Sequence, residues 1–164
     1  MNKIYNEFIN YSKNNFKRNL SWLDRDTDSP THGSFDRNYW HYKITDFNSD
    51  ILQQGIYTLI SLYKDDIPNN YNKLKLKKLI FSVTQYTIKS YQQNSSFNEY
   101  YPNEDGYPPL AFISNVLGDT FIEFPEFLEL KDIKNIYKKI NLYLSKLTEF
   151  NASNQYAIGI AGLY

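Results

Sequence analysis

The sequence predicts an all-α domain built from helical hairpins, and three observations lead to this fold class. Apolar residues recur at three- and four-residue steps in six segments of the chain, which is the period of an amphipathic helix. The first, third and fifth segments are rich in lysine, whereas the others carry less charge and more Gly, Ala and Ser. A solvent-exposed outer helix that alternates with a buried inner helix rich in small residues is typical of a toroid or solenoid.

The predicted helices are separated by prolines and by long loops. Pro68 and Pro125 interrupt the helical pattern, and Thr45 or Asp46 is suited to cap the second helix. One face of the first helix is expected to be buried, and its apolar stripe comprises Ile4, Phe8, Tyr11 or Ser12, Phe16, Leu20 and Leu23. The six predicted helices span residues 3–22, 45–63, 71–92, 109–120, 130–148 and 154 to the end of the chain.

Composition limits both the size of the domain and its partners. The chain has 164 residues, which is enough for a single domain with a buried core over residues 1–164. Lys plus Arg and Asp plus Glu each number 18, so the net charge is zero and no basic face for nucleic acid is expected. The chain has no cysteine, which excludes disulfides and thiolate metal sites. No cofactor and no metal are predicted.

The N-terminus and the apolar runs bear on localisation. The first residues enter a polar amphipathic pattern and lack the apolar run and small-residue cleavage site of a signal peptide. The longest apolar stretches are far shorter than the ~20 residues that span a bilayer. We therefore expect a soluble, cytoplasmic protein with no membrane partner.

The segment from Thr31 to Lys43 holds both histidines and one of the two tryptophans of the chain. Arg37 and Trp40 are predicted ligand contacts, because a guanidinium suits a carboxylate and an indole ring suits a sugar face. Asp36 is a candidate for a sugar hydroxyl, with the alternative that it pins the loop to the scaffold. His32 and His41 are candidate acid/base groups, because histidine changes charge near neutral pH, with loop hydrogen bonding as the alternative.

Three loops, at 24–45, 94–109 and 149–154, precede the predicted inner helices and should therefore lie at one end of the domain. Converging helix N-termini favour an anion, and loop aromatics offer flat faces to sugar rings. An acidic polysaccharide or oligosaccharide is therefore the predicted partner. Tyr101 and Glu104 are candidate binding residues in the second loop, and Glu104 with Asp105 forms either a carboxylate pair or a loop closure.

Four groups of residues resemble the N-terminal part of the heparinase II/III-like family. They are Gly33 to Trp40, Asp46-Phe47 with Gln54, Tyr101 to Glu104 before Pro109 to Phe112, and Asn154-Gln155. The resemblance covers most of residues 20–164. It implies a toroid with more hairpins than the three visible here, often followed by a β-rich domain. The chain is then expected to be about half of an (α/α) toroid, as a truncated part or a fragment.

The resemblance also implies the chemistry. Such proteins commonly cleave acidic polysaccharides by β-elimination, with an Asn-His pair where Asn154-Gln155 stands here. Asn154 can still bind a carboxylate by hydrogen bonding, but the amide of Gln155 cannot act as a base. Two hypotheses follow. The first is a lyase-like protein that is completed by a C-terminal part and takes part in polysaccharide biosynthesis. The second is a non-catalytic helical module that binds a glycan or protein and self-associates through an exposed edge.

Overall fold

The computed structural model describes residues 2–64, 66–67, 69–94, 96–104, 106–147 and 152–163. Every regular element within these ranges is helical, so the predicted all-α class is confirmed. Two 3₁₀ turns, Asp50–Gly55 and Pro125–Glu129, precede α3 and α6. The α-helices are α1 (Asn2–Leu20), α2 (Arg37–Trp40), α3 (Ile56–Tyr63), α4 (Lys73–Asn94), α5 (Tyr107–Glu123), α6 (Lys131–Leu144) and α7 (Ser153–Leu163).

Helix α5 lies at the centre of the domain. It contacts α3, α6, α7 and both 3₁₀ turns, whereas α4 packs against α3 and α6. Tyr57 joins α3 to α5, because its hydroxyl donates to Asp119 Oδ2 at 2.7 Å and accepts from Asn115 Nδ2 at 2.6 Å. The core is apolar and closely packed, and its fully buried side chains include Leu59, Leu62, Ile80, Leu110, Ile113, Leu117 and Ile140.

The lysine-rich helices have the predicted orientation. In α6, Ile133, Ile136 and Ile140 are buried, whereas Lys134 and Lys138 are exposed. Helix α4 likewise buries Leu76, Ile80, Val83 and Ile88 and exposes most of its lysines, although Leu74 in its first turn is 63% exposed. This outcome is expected because a charged ammonium group loses its hydration when it is buried, while the apolar stripe gains by leaving water.

The prediction that the whole apolar stripe of α1 is buried was wrong for its N-terminal half. Ile4, Phe8 and Tyr11 are 65–68% exposed, whereas Phe16 and Leu20 are buried. Among the described elements α1 packs on α3, and Asn19 Nδ2 in its last turn donates to Thr58 Oγ1 at 3.1 Å. Periodicity shows that a helix has an apolar face, but it does not show which part of that face a neighbour covers.

The predicted start of the second helix was also wrong. Residues 45–49 are irregular, a 3₁₀ turn begins at Asp50, and the α-helix begins only at Ile56. Neither Thr45 nor Asp46 therefore caps it. Tertiary hydrogen bonds hold this segment away from a helix, since Ser49 N–H donates to Asp36 Oδ2 and Asp50 N–H donates to the carbonyl of Asn98, both at 2.8 Å.

The remaining helix ends differ from prediction by a few residues. Helix α5 begins two residues early, with Pro108 in its first turn, and α6 ends at Leu144. Helix α7 begins at Ser153, so Asn154 lies in its first turn and not at the capping position. The predicted features at Thr148, Asn151 and Tyr164 lie outside the described residues.

In the part of the chain that is described, no helix combines the length and apolarity needed to cross a bilayer.

Candidate functional site

A buried carboxylate joins the segment before α3 to α4 and to the second loop. Asp50 is fully buried, and its Oδ1 accepts from Asn48 Nδ2 at 2.7 Å and Ser90 Oγ at 2.6 Å. Its Oδ2 accepts from Asn98 N–H at 2.9 Å. Burial raises the pKa of Asp50 to about 6, although the three donors favour the charged form and partly oppose this. These bonds link Asn98 of the loop at 94–109 to Asn48, whose Oδ1 accepts from Ser34 Oγ of the loop at 24–45 at 2.8 Å. The convergence of all three loops at one end of the domain stays a prediction.

Gln53 ties the first loop to the scaffold. Its Oε1 accepts from Phe35 N–H at 2.7 Å, and its Nε2 donates to the carbonyl of Gly33 at 3.1 Å and to Thr87 Oγ1 at 3.2 Å. Neither Asp50 nor Gln53 was predicted as a site residue from the sequence. They lie on the same face as Ile56 because the 3₁₀ turn at Asp50–Gly55 has three residues per turn, whereas an α-helical period would turn Asp50 away from that face.

Asp36 acts as the cap of a short helix. Its Oδ1 accepts from Asn38 N–H at 3.1 Å and Tyr39 N–H at 3.3 Å, which starts α2 directly after the loop. Its Oδ2 accepts from Ser49 N–H, as described above, and the side chain is buried. Both carboxylate oxygens are therefore occupied by backbone donors, which agrees with the predicted alternative that Asp36 pins the loop.

Arg37 and Trp40 lie on α2 and are half-buried. The guanidinium of Arg37 lies 5.1 Å from the ring centre of Tyr42, a cation–π distance, and its Nε is buried without a hydrogen-bond partner in the described residues. The indole N–H of Trp40 donates to the carbonyl of Trp22 at 2.8 Å. Trp40 therefore fixes α2 against the end of α1, and only its remaining ring surface is free for a ligand.

The two histidines occupy different surroundings. His41 is exposed, with its ring 5.2 Å from that of Trp40 and 4.9 Å from that of Tyr42. His32 Nε2 lies 2.9 Å from Ser82 Oγ, and that hydroxyl donates its hydrogen to the carbonyl of Lys78. His32 Nε2 is therefore the donor to Ser82. The other ring nitrogen, Nδ1, is buried and has no hydrogen-bond partner among the described residues.

Glu104 closes the second loop. Its Oε2 accepts from the backbone N–H groups of Glu99, Tyr100 and Tyr101 at 2.8–3.3 Å, which confirms the predicted loop-closing role. The rings of Tyr100 and Tyr101 remain 72% and 71% exposed. Asp105, the other member of the predicted carboxylate pair, lies outside the described residues.

The last two predicted site residues lie in the first turn of α7. Asn154 is exposed and Gln155 is half-buried. In the described ranges, no hydrogen bond connects either of them to the loop at 31–43. The role of Asn154 and Gln155 in ligand binding therefore stays a prediction.

The loop from Asp24 to Ser34 is closed at its neck. Asp24 N–H donates to the carbonyl of Ser34 at 2.8 Å, and Gly33 N–H donates to the carbonyl of Asp24 at 3.0 Å. The carboxylate of Asp24 accepts from Ser29 Oγ and Thr31 Oγ1 at 2.6–2.7 Å, which fills the loop from inside. Gly33 has a φ of +96°, and a Cβ there would lie 2.4 Å from the carbonyl oxygen of Ser82, so the neck requires glycine.

Two clefts are lined by residues in this loop or next to its neck. The first, here called the uncharged cleft, has a volume of about 490 Å³. It is lined by Asn19, Trp22, Phe35, Ile51, Leu52, Gln54, Gly55 and Thr58. The second, here called the basic cleft, has a volume of about 420 Å³. It is lined by Arg25, Thr27, His32, Lys75, Lys78, Leu79, Phe81 and Ser82.

The basic cleft brings together cations that the sequence separates by fifty residues. Arg25 comes from the loop, whereas Lys75 and Lys78 come from the first turns of α4, and all three are exposed. None of the three forms an ion pair within the described ranges of the chain. Leu79 and the half-buried Phe81 supply an apolar floor. From the sequence alone, these lysines were predicted only as a solvated helix face.

Comparisons of the chain with protein-family models, with curated proteins and with solved structures found no match. The resemblance to the heparinase II/III-like family therefore stays a prediction that rests on the sequence motifs.

Proposed function

We propose that this protein binds an acidic oligosaccharide, and that the basic cleft holds it. The observation that carries the proposal is the convergence of Arg25, Lys75 and Lys78, without ion-pair partners in the described residues, around the apolar floor of Leu79 and Phe81. A sugar ring has an apolar C–H face that packs on an aromatic ring, and a uronate carboxylate at its edge suits an arginine or lysine. A chain of zero net charge can thus present a local positive surface.

The nearest acidic side chains do not neutralise the cleft by direct pairing. Asp26 and Asp28 follow Arg25 in the loop, and Asp26 Oδ1 accepts from Asp28 N–H at 3.0 Å. Neither makes an ion pair with the cations of the cleft in the part of the chain that the structure describes. Their charges still lower the local potential, so we expect moderate affinity with a strong dependence on salt.

Binding without cleavage is the better supported form of the proposal. A β-elimination requires a base within reach of the C5 proton. In the basic cleft, His32 Nε2 is bonded to Ser82 and its Nδ1 is buried, so neither nitrogen is presented to a ligand. Gln155 has no basic group at all. A lyase-like activity of the heparinase II/III-like type would therefore need groups from elsewhere in a longer protein.

We propose the partial (α/α) toroid as the architecture that carries this cleft. Contacts between α3 and α5, between α5 and α7, and between α4 and α6 are those expected of an inner and an outer row of helices. The buried glycines of α7 and the exposed lysines of α4 and α6 also fit an inner and an outer row.

Calorimetric titration with hexuronate oligosaccharides tests the proposed ligand. The triple variant Arg25→Ala/Lys75→Ala/Lys78→Ala should weaken binding by at least about tenfold, because three charge contacts are lost. The matched control is Lys134→Ala/Lys138→Ala/Lys139→Ala, which removes three exposed charges from α6 and should leave affinity unchanged. Raising the salt from about 50 to about 500 mM should weaken the wild type by a similar factor.

Two further measurements separate the alternatives. An absorbance assay for unsaturated uronates should show no product with this chain, and a clear signal would overturn the non-catalytic form of the proposal. Arg37→Ala, Trp40→Ala and Tyr101→Ala test the loop surface predicted from the sequence. If these variants abolish binding while the triple variant of the basic cleft retains it, the ligand is held by the loop surface and the basic cleft is the wrong site.

A further inference from the structure

The uncharged cleft contrasts with the basic cleft in its lining. Its eight lining residues include no side chain that is charged at neutral pH, although Lys17 and Arg18 directly precede Asn19 on α1. A volume of about 490 Å³ lies within the range of small-molecule sites. The cleft therefore has room for a ligand, and its lining residues offer an anionic or cationic group no opposite charge.

Two aromatic residues, Trp22 and Phe35, line this cleft, and Trp22 is the more exposed of the two. Phe35 is buried and packs on Gly55, where a Cβ would lie 2.5 Å from the phenyl ring. Trp22 is half-buried, and its carbonyl is held by the indole N–H of Trp40. Leu52 packs against the same core. These contacts hold the Phe35 ring and the backbone at Trp22 in position before any ligand arrives.

Polar groups that lack partners in the described residues occur in the same cleft. Gln54 Nε2 donates to the carbonyl of Ile51 at 3.1 Å, which holds the side chain and leaves its Oε1 as an acceptor. Asn19 Nδ2 donates to Thr58 Oγ1, which leaves Asn19 Oδ1 as an acceptor and the hydroxyl hydrogen of Thr58 as a donor. The indole N–H of Trp22 has no hydrogen-bond partner among the described residues and is a second donor.

We propose that the uncharged cleft is a second binding site, specific for a neutral saccharide. A sugar hydroxyl both donates and accepts, so neighbouring hydroxyls match a set of two donors and two acceptors beside the half-buried indole ring of Trp22. The lining has no charge that would select an acidic sugar over a neutral one. This site differs from the proposed acidic oligosaccharide site in ligand class, and no lining residue is shared between the two clefts.

The proposal is tested with the full chain and a panel of neutral oligosaccharides of glucose, mannose, galactose and xylose. Because Trp40 is the other tryptophan, the Trp40→Phe variant leaves Trp22 as the fluorescent reporter inside the cleft. This variant also removes the indole hydrogen bond to the Trp22 carbonyl, so the wild-type chain is the reference for affinity. At least one neutral oligosaccharide should change this fluorescence with saturation, and calorimetry on the wild-type chain should give the same affinity.

The variants are chosen so that loss of binding is distinguishable from loss of fold. Gln54→Leu should weaken neutral saccharide binding by at least about tenfold, and Thr58→Val by a smaller factor, with circular dichroism unchanged. The matched control Gln85→Leu changes an exposed glutamine on α4 that does not line the cleft, and should bind as the wild type does. The triple variant of Arg25, Lys75 and Lys78 should retain neutral saccharide binding.

Three results would overturn this inference. The first is an absence of binding by every neutral oligosaccharide up to about 10 mM. The second is binding that Gln54→Leu and Thr58→Val leave unchanged. The third is a fluorescence change at Trp22 that only acidic oligosaccharides or peptides produce. Neutral saccharide binding together with no acidic oligosaccharide binding would support this site and remove the proposed function of the basic cleft, so the two failures are distinguishable.

Discussion

The basic cleft and the uncharged cleft use residues at the same loop neck but are completed by different helices. Arg25 and His32 serve the basic cleft, while Trp22 and Phe35 serve the uncharged one. The first is completed by the lysine-rich start of α4, and the second by the end of α1 and the start of α3. The charge of each cleft is therefore set mainly by the helices against which the loop packs.

This comparison also separates two kinds of polar group. Asp24, Asp36, Asp50 and Gln53 are buried and satisfied by hydrogen bonds within the protein, so they position the loop. The groups that face the two clefts keep donors, acceptors or charges without partners in the described residues. Residues of the first kind should mainly affect stability when they are changed, and residues of the second kind should mainly affect binding.

Gly33→Ala should have the largest effect and should damage both clefts together, because they share the neck. The positive φ and the 2.4 Å approach of a Cβ to the Ser82 carbonyl together predict a loss of about 3–4 kcal/mol in the free energy of unfolding. Urea denaturation measures this loss in the free energy of unfolding. Gly106→Ala is the matched control, since the nearest atom outside its own chain neighbours lies 3.4 Å away and φ is negative, and it should cost less than about 1 kcal/mol. Equal losses for the two variants would contradict a shared, strained neck.

Asp50 should make the stability of the protein depend on pH. It starts the 3₁₀ turn that carries Ile51, Leu52 and Gln54, which line the uncharged cleft. Its pKa is raised from 3.8 to about 6 by burial, so its contribution to stability is full below about pH 4 and is lost as the pH rises through 6. Between pH 4 and pH 7 the unfolding free energy of Asp50→Asn should gain up to about 3 kcal/mol relative to the wild type. Parallel denaturation curves at several pH values measure this difference, and a difference that does not change with pH would show that the carboxylate is not desolvated as the structure indicates.

Adjacent glutamines sharpen the distinction between positioning and binding. Gln53→Met should cost about 2 kcal/mol of unfolding free energy, because the buried Phe35 N–H loses its acceptor. Gln54→Met should cost less than about 1 kcal/mol, since the side chain is half-buried and its one hydrogen bond lies at the edge of a cleft. Thermal denaturation of both variants measures the difference. A larger loss for Gln54→Met than for Gln53→Met would reverse the roles assigned to the two residues.

The sequence predicted the parts of the fold that depend on local periodicity. The strict spacing of Ile133, Ile136 and Ile140 with lysines between them placed α6 and its exposed face correctly. The loop-closing role of Glu104 was predictable as well, because it depends on residues within five positions of it.

The errors occurred where a distant segment decides the local structure. The start of the second helix was misplaced because Asp36 and Asn98 hold residues 49 and 50 out of a helix. The exposed half of α1 has the same apolar periodicity as the buried half. The lysines of α4 looked like an ordinary solvated face until the loop placed Arg25 beside them.

The sequence by itself determined three properties of this protein: its helical structure, the solvent-exposed faces of its later helices, and its net charge of zero. These properties follow from residue spacing and composition along one continuous segment. Only the tertiary structure decided which polar side chains are buried and which charges share a cleft. The physical reason is that desolvation depends on partners far away in the chain, as with Asp50 and Ser90, which meet across 40 residues.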